Sequence, residues 1–141
     1  MMKILKRKIH LQFSGTLASW LNNKPFTRSL FYSYTILVPD SEKFIIRTVL
    51  NFLPNLHDDL KQQVSALIYQ EGQHAREHNK ANPWIEEQHY KVRWSRRLVN
   101  FLTYTFLEYI LPKRLLLSIA AATEHFNTSL SMFFLQKHRD F

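Results

Sequence analysis

The chain is expected to fold as an all-α protein, and three observations carry that expectation. Glycine is scarce, 2 residues against 11 Phe and 6 Tyr in 141; tight turns are therefore few, which favours long helices over a many-stranded sheet. Apolar residues make up 45% of the chain, enough for a core. Their spacing is helical: Leu60, Val64, Leu67, Glu71, His74 and His78 follow one another in steps of three and four, one face of a helix. The length is that of one domain, with no internal repeat or low-complexity tract.

Taken in order, residues 1–38 read as a basic lead-in to a helical domain spanning 39–141. The first acid is Asp40, and Lys3, Lys6, Arg7, Lys8, Lys24 and Arg28 precede it in a chain of formal net charge +8. Such an arm suits phosphate, an anionic membrane surface, an acidic partner or targeting, with a solvated arm as the plainer reading. Phe26 to Val38 shows no clean period and fits either a short helix or an extended segment. Leu11 to Leu21 is broken by Gln12, Ser14 and Gly15, against a secretory leader; Leu98 to Ala122 is interrupted by Glu108, Lys113 and Arg114, against a membrane span. A cytoplasmic location is the expectation.

Pro39-Asp40-Ser41 reads as the start of a helix over about 40–53, with Asp40 or Ser41 as cap and a stop before Pro54. Its column is Glu42, Ile45, Val49 and Phe52. A second helix, capped by Asn55 or Asp58, covers about 58–80 and ends before Asn82-Pro83. Gly72 in its interior costs about 1 kcal/mol relative to Ala, which suggests that a neighbouring backbone or a ligand comes close. Residues 84–111 form a helical crossover with a break near His89; Leu98, Leu102 and Phe106 make its apolar row. Arg93, Arg96 and Arg97 near its start could bind phosphate, but read first as a solvated helix end. Pro112 suits the first turn of a last helix over about 113–137, with Leu117, Ala121, Glu124, Thr128, Ser131 and Leu135 in one column.

Three of these helices set a glutamate into an apolar column: Glu42, Glu71 with His74, and Glu124. Burying such groups without partners costs several kcal/mol, on the order of a small domain's net stability. A metal ion offsets that cost, and with cysteine absent it would be held by His, Asp and Glu. This is the ligand vocabulary of carboxylate-bridged dinuclear sites in helical bundles. Each residue also has an ordinary reading. Glu42 suits a helix's first turn; Glu-x-x-His is a short pattern; His125 can pair with Glu124; His78 and His125 can be ligands, groups that orient ligands, or core histidines. Glu86 to His89 is another Glu-x-x-His but lies in a polar stretch and reads as a solvated face. His57-Asp58-Asp59 reads as capping.

Pro39-Asp40-Ser41-Glu42-Lys43-Phe44, Tyr69-Gln70-Glu71-Gly72-Gln73-His74-Ala75-Arg76-Glu77-His78 and Ala122-Thr123-Glu124-His125-Phe126 together resemble the bacterial proteins labelled predicted metal-dependent hydrolases, over about residues 20–135 in the same order. The resemblance implies a ferritin-like bundle. It implies Glu42, Glu71, His74 and Glu124 as metal ligands, with His78 and His125 at or beside the site. Members of that family continue into a further helix with a Trp-His…Glu-Glu-x-Glu-His type motif, whereas this sequence stops at Phe141. An incomplete bundle is thus expected, to be completed by a second copy or a further C-terminal segment. The function expected is metal-dependent hydrolysis of an unidentified small molecule with Glu71 as the catalytic carboxylate, or di-iron oxygen chemistry in its place. Iron leads among divalent ions, with zinc and manganese as alternatives. The competing expectation is a non-catalytic helical interaction protein whose exposed seam binds a partner.

Overall fold

The structure, a computed structural model, describes residues 6–12, 14, 24–87 and 93–137. Among these there is no strand, and the all-α expectation holds. Helix α1 spans Pro25–Leu50, a 3-10 turn Leu53–Asn55 follows, and α2 spans Asp58–Glu87. Next come α3 (Arg93–Asn100), a π-helical turn (Phe101–Thr105), α4 (Phe106–Ile110) and α5 (Lys113–Lys137). The long α1 and α2 form the main packed pair. Helix α5 lies against α1, and α3 and the π turn also reach α1.

Two apolar clusters hold α1 in place. Tyr32 and Ile36 pack with Ala81 and Ile85 of α2, flanked by Phe31 and Trp84. Further along, Phe44 and Ile45 pack with Leu116 and Ala120 of α5, flanked by Tyr104, Leu107, Leu111 and Ile119. The stretch of α1 between the clusters is buried but polar: Asp40 is 5% exposed, Ser41 4% and Glu42 2%. Asp40 receives both Nε and Nη2 of Arg96, at 2.8 and 3.1 Å, which ties α3 to α1. Arg47 donates through Nε to both carboxylate oxygens of Glu108, at 2.9 and 3.1 Å, and ties in α4.

Helix α1 begins at Pro25, not near residue 40, and runs through Pro39. Helix α2 likewise runs past Asn79 and through Pro83 to Glu87. A proline inside a helix loses one backbone hydrogen bond and costs about 3 kcal/mol. The first cluster explains why both helices continue: Tyr32 and Ile36 lie before Pro39, Ala81 lies just before Pro83 and Ile85 beyond it, so each extension buries the other. Ser41 adds a local device, its hydroxyl donating to the Val38 carbonyl at 2.8 Å. The crossover is shorter than expected, because residues 84–87 belong to α2; the expected break near His89, and His89 itself, lie outside the described residues. The last helix matches its expected span.

The basic segment touches α2. The Leu11 N–H donates to Glu77 Oε2 at 3.0 Å, and the Lys6 ammonium stands 5.7 Å from the centre of the Tyr69 ring. Lys6, Arg7 and Lys8 remain exposed. Among the described residues, no helix is long and apolar enough to cross a membrane.

Candidate metal centre

Midway along α1, Glu42 faces α2 where Glu71 and His74 stand one turn apart. One ligand atom from each of the three lies within 4.8 Å of the others. His74 Nδ1 is 3.8 Å from Glu42 Oε1 and 4.0 Å from Glu71 Oε1. Both carboxyls are buried, whereas the His74 side chain is 46% exposed. The imidazole therefore sits at the rim of the cluster and the two acids at its floor.

Without a cation this arrangement is unfavourable in two ways. Glu42 Oε2 is buried and has no hydrogen-bond partner among the described residues. Burial, and then the charges of Glu71 and Glu124, push the Glu42 carboxyl up to about 9. Burial and then Glu124 push Glu71 up to about 7. Converging acids that resist ionisation, with an orphaned oxygen between helices, are what a divalent cation would relieve. The donor set of two carboxylates and one imidazole fits such an ion.

Glu124 influences both acids but stands outside the tight group. It is partly buried on α5, where its Oε1 accepts from the Thr128 hydroxyl at 3.4 Å. The apolar face of α5 is turned by about one residue from the expected column. Leu116 and Ala120 are buried, while Ala121, Thr128 and Ser131 are exposed; Leu135 lies outside the description of side chains. On α2 the expected column is likewise only partly internal: Leu60 is exposed, Val64 and Leu67 are half-buried, and Glu71 is buried. The buried face there includes Ala66, Gln73, Glu77 and Ala81. His78 is half-buried, and burial, followed by the neighbouring His74, brings its imidazole down to about 4. His78 is therefore neutral at pH 7. His125 is exposed and outside the tight group. Gly72 has open space where a Cβ would stand, so no close neighbour explains it.

Two groups, the first of them near the centre, were not singled out from sequence. The Tyr34 hydroxyl donates to Asn127 Oδ1 at 3.2 Å and bonds to Ser131, which links α1 to α5. Burial first, and then the charges of Glu42 and Glu124, raise its phenol, so this ring stands near the acids. Glu77 is a further buried carboxylate of α2. Its bonds from Lys80 Nζ (2.6 Å) and the Leu11 N–H hold it below the usual carboxylate range. Tyr34 had been read as part of an aperiodic stretch, and Glu77 falls outside the Glu71–His74–His78 column. No short-range pattern marked either residue.

An all-helical protein with a Glu/Glu/His cluster able to hold a cation is the class that fold and site define. The sequence profile of the family described as predicted metal-dependent hydrolase matches residues 5–141, and the chain belongs to that family. No curated protein and no solved structure matches the chain.

Proposed function

We propose that this protein is a metal-dependent hydrolase whose divalent ion is held by Glu42, Glu71 and His74, with Glu124 as an additional carboxylate on the α5 side. The observation that carries this reading is the convergence of the three ligand atoms within 4.8 Å, two of the residues being buried. Family membership supports metal-dependent chemistry. When bound, a divalent ion supplies Lewis acidity and makes water acidic enough to give a nucleophile near neutral pH.

The chain's own residues supply the rest. Glu71 stands at about 7 in the metal-free site, so it would give up its proton near neutral pH on taking up the ion and then act on the attacking water as a carboxylate. Neutral His78 neighbours His74 and can fix its orientation. The half-exposed His74 marks the side from which substrate reaches the site. The test is turnover of small ester and phosphoester substrates by the protein loaded with zinc, manganese or ferrous iron. Glu71→Gln should lower kcat by at least about 100-fold. Equal turnover by wild type and Glu71→Gln would refute the assignment. Anaerobic iron loading followed by air separates the oxygen chemistry: a transient visible absorbance, absent with zinc, would replace hydrolysis with di-iron chemistry in a ferritin-like site.

A second reading, association through an apolar face, is favoured by a separate observation. Leu98, Leu102, Phe106, Ile110 and Leu115 are all 41% or more exposed along α3, the π turn, α4 and the start of α5. A row of this kind suits a partner helix or a second copy. Sedimentation of the wild type against Leu102→Glu decides it: a concentration-dependent rise in mass lost in the variant supports association, and a monomer throughout removes a self-assembly role.

A further inference from the structure

The segment from α3 through the π turn into α4 is built with its polar side inward. Its inner row, at four-residue spacing, begins with Arg96, Asn100 and Tyr104. Arg96 and Asn100 bond to Asp40, and the Tyr104 ring stands 5.1 Å from that of Phe44, so all three are committed to α1. Leu107 and Leu111 close the same side against the second apolar cluster. Facing the other way is a row of the same spacing, Trp94, Leu98, Leu102, Phe106 and Ile110, every member apolar and exposed. A pure α-helix carries residues four apart about 40° round its axis at each step. The π turn at Phe101–Thr105 winds less per residue and takes that drift back, which keeps the row straight.

Beside this row runs a second exposed one, Arg97, Phe101, Thr105 and Tyr109. Together they make a strip roughly 24 Å long. Trp94 and Tyr109, 76% and 90% exposed, stand near its two ends. Arg97, Lys113 and Arg114, all exposed, border it. Glu108 is the one acid in the sequence between residues 93 and 115, and Arg47 takes it up through two hydrogen bonds. Elsewhere Asp40, Glu42, Glu71 and Glu77 are buried, so cations dominate the exposed surface of a chain of formal charge +8. An apolar strip with Trp and Tyr near its ends and Lys or Arg at its border suits the interface of an anionic bilayer. There, aromatic rings settle at headgroup depth and the cations meet phosphate. A second copy laid face to face on the strip would instead bring like charges together, with no acid of the strip to answer them.

We propose that the strip from Trp94 to Ile110 docks on the surface of an anionic lipid bilayer, with Arg97, Lys113 and Arg114 against the headgroups. The contact lies along the surface, since among the described residues no helix is long and apolar enough to cross. The inference is independent of the metal centre. The experiment is flotation of the full chain with vesicles of phosphatidylcholine, and with vesicles in which about a third of the lipid is phosphatidylglycerol. Binding at least about tenfold tighter to the anionic vesicles is expected, weakened when salt is raised from about 0.1 to about 0.5 M. Bound protein should show tryptophan emission shifted to the blue, and Trp94→Phe should remove most of that shift. Leu102→Glu, at an exposed position, and the double variant Lys113→Gln/Arg114→Gln should each lower binding at least about tenfold at an unchanged melting temperature. No binding to anionic vesicles, equal binding to neutral ones, or undiminished binding by either variant would overturn the proposal. A loss confined to Lys6→Gln/Arg7→Gln/Lys8→Gln would overturn it in favour of the basic N-terminal segment. Binding of a DNA duplex without binding of vesicles would overturn it in favour of nucleic acid, and a dimer lost in Leu102→Glu without binding of vesicles would give the strip to a second copy.

Discussion

At the scale of the residue, the centre is defined by acids that are costly to ionise. Glu42 and Glu71 stood out in the sequence because a carboxylate in an apolar column demands an explanation, and both are buried. His74 was expected inside the column and lies at its rim, since helix rotation is set by the partner helix and not by spacing alone. A pH prediction follows. Glu42 and Glu71 titrate in the folded state at about 9 and about 7, against an ordinary value of 4.5. The metal-free fold therefore binds more protons than the unfolded chain, and this contribution to stability is full below pH 4.5 and lost as pH rises through the folded values. His78 works the other way between about 4 and 6.5 and masks the trend there. Between pH 7 and about 8.5, unfolding of the metal-free protein should become easier with a slope approaching about 1.4 kcal/mol per pH unit. Urea unfolding at several pH values checks the slope; a flat profile would contradict the acid placement. Glu42→Leu should raise metal-free stability by about 1–3 kcal/mol by removing an unsatisfied buried oxygen, and should abolish cation binding.

At the scale of the element, helix existence was legible, and so were the start of α2 at Asp58 and both ends of α5, but the start of α1 and the end of α2 were not. The expected start of α1 rested on Pro39 and the expected end of α2 on Pro83, and both prolines lie inside helices. The apolar contacts that override them, Tyr32 and Ile36 with Ala81 and Ile85, are separated by tens of residues, so no local pattern announces them. Gly72 was read as a sign of close approach, but open space surrounds its missing Cβ. Gly72→Ala should accordingly stabilise α2 by about 0.5–1 kcal/mol, measured by denaturant unfolding; destabilisation would mean that something does approach there. Arg96 was read as part of a solvated helix end and instead pairs with buried Asp40. Burial alone would raise the Asp40 carboxyl, but the bonds from Arg96 and Asn100 outweigh it and hold it low. Arg96→Ala leaves that charge without its main partner and should cost about 2–4 kcal/mol in the same assay, whereas Arg47→Ala, at a largely exposed pair, should cost under about 1 kcal/mol.

At the scale of the whole molecule, two apolar clusters bracket a polar middle of α1, and the candidate centre occupies that middle. Such an arrangement couples cation binding to folding. A cation at about 100 times its dissociation constant should add roughly 2.7 kcal/mol to stability, seen as a rise in melting temperature reversed by chelator. The all-α class was readable from composition and spacing, because few glycines and a three–four rhythm leave little choice. The packing of α5 was not. It buries Leu116 and Ala120 and leaves much of the remaining surface exposed, so its inward face could not be inferred from apolar periodicity. The measurement that tests the central claim most directly is anomalous diffraction from crystals of the protein loaded with manganese or iron. A peak bounded by the carboxylates of Glu42 and Glu71 and the imidazole of His74 is the predicted result; a peak elsewhere, or none at that cluster under saturating metal, would contradict it.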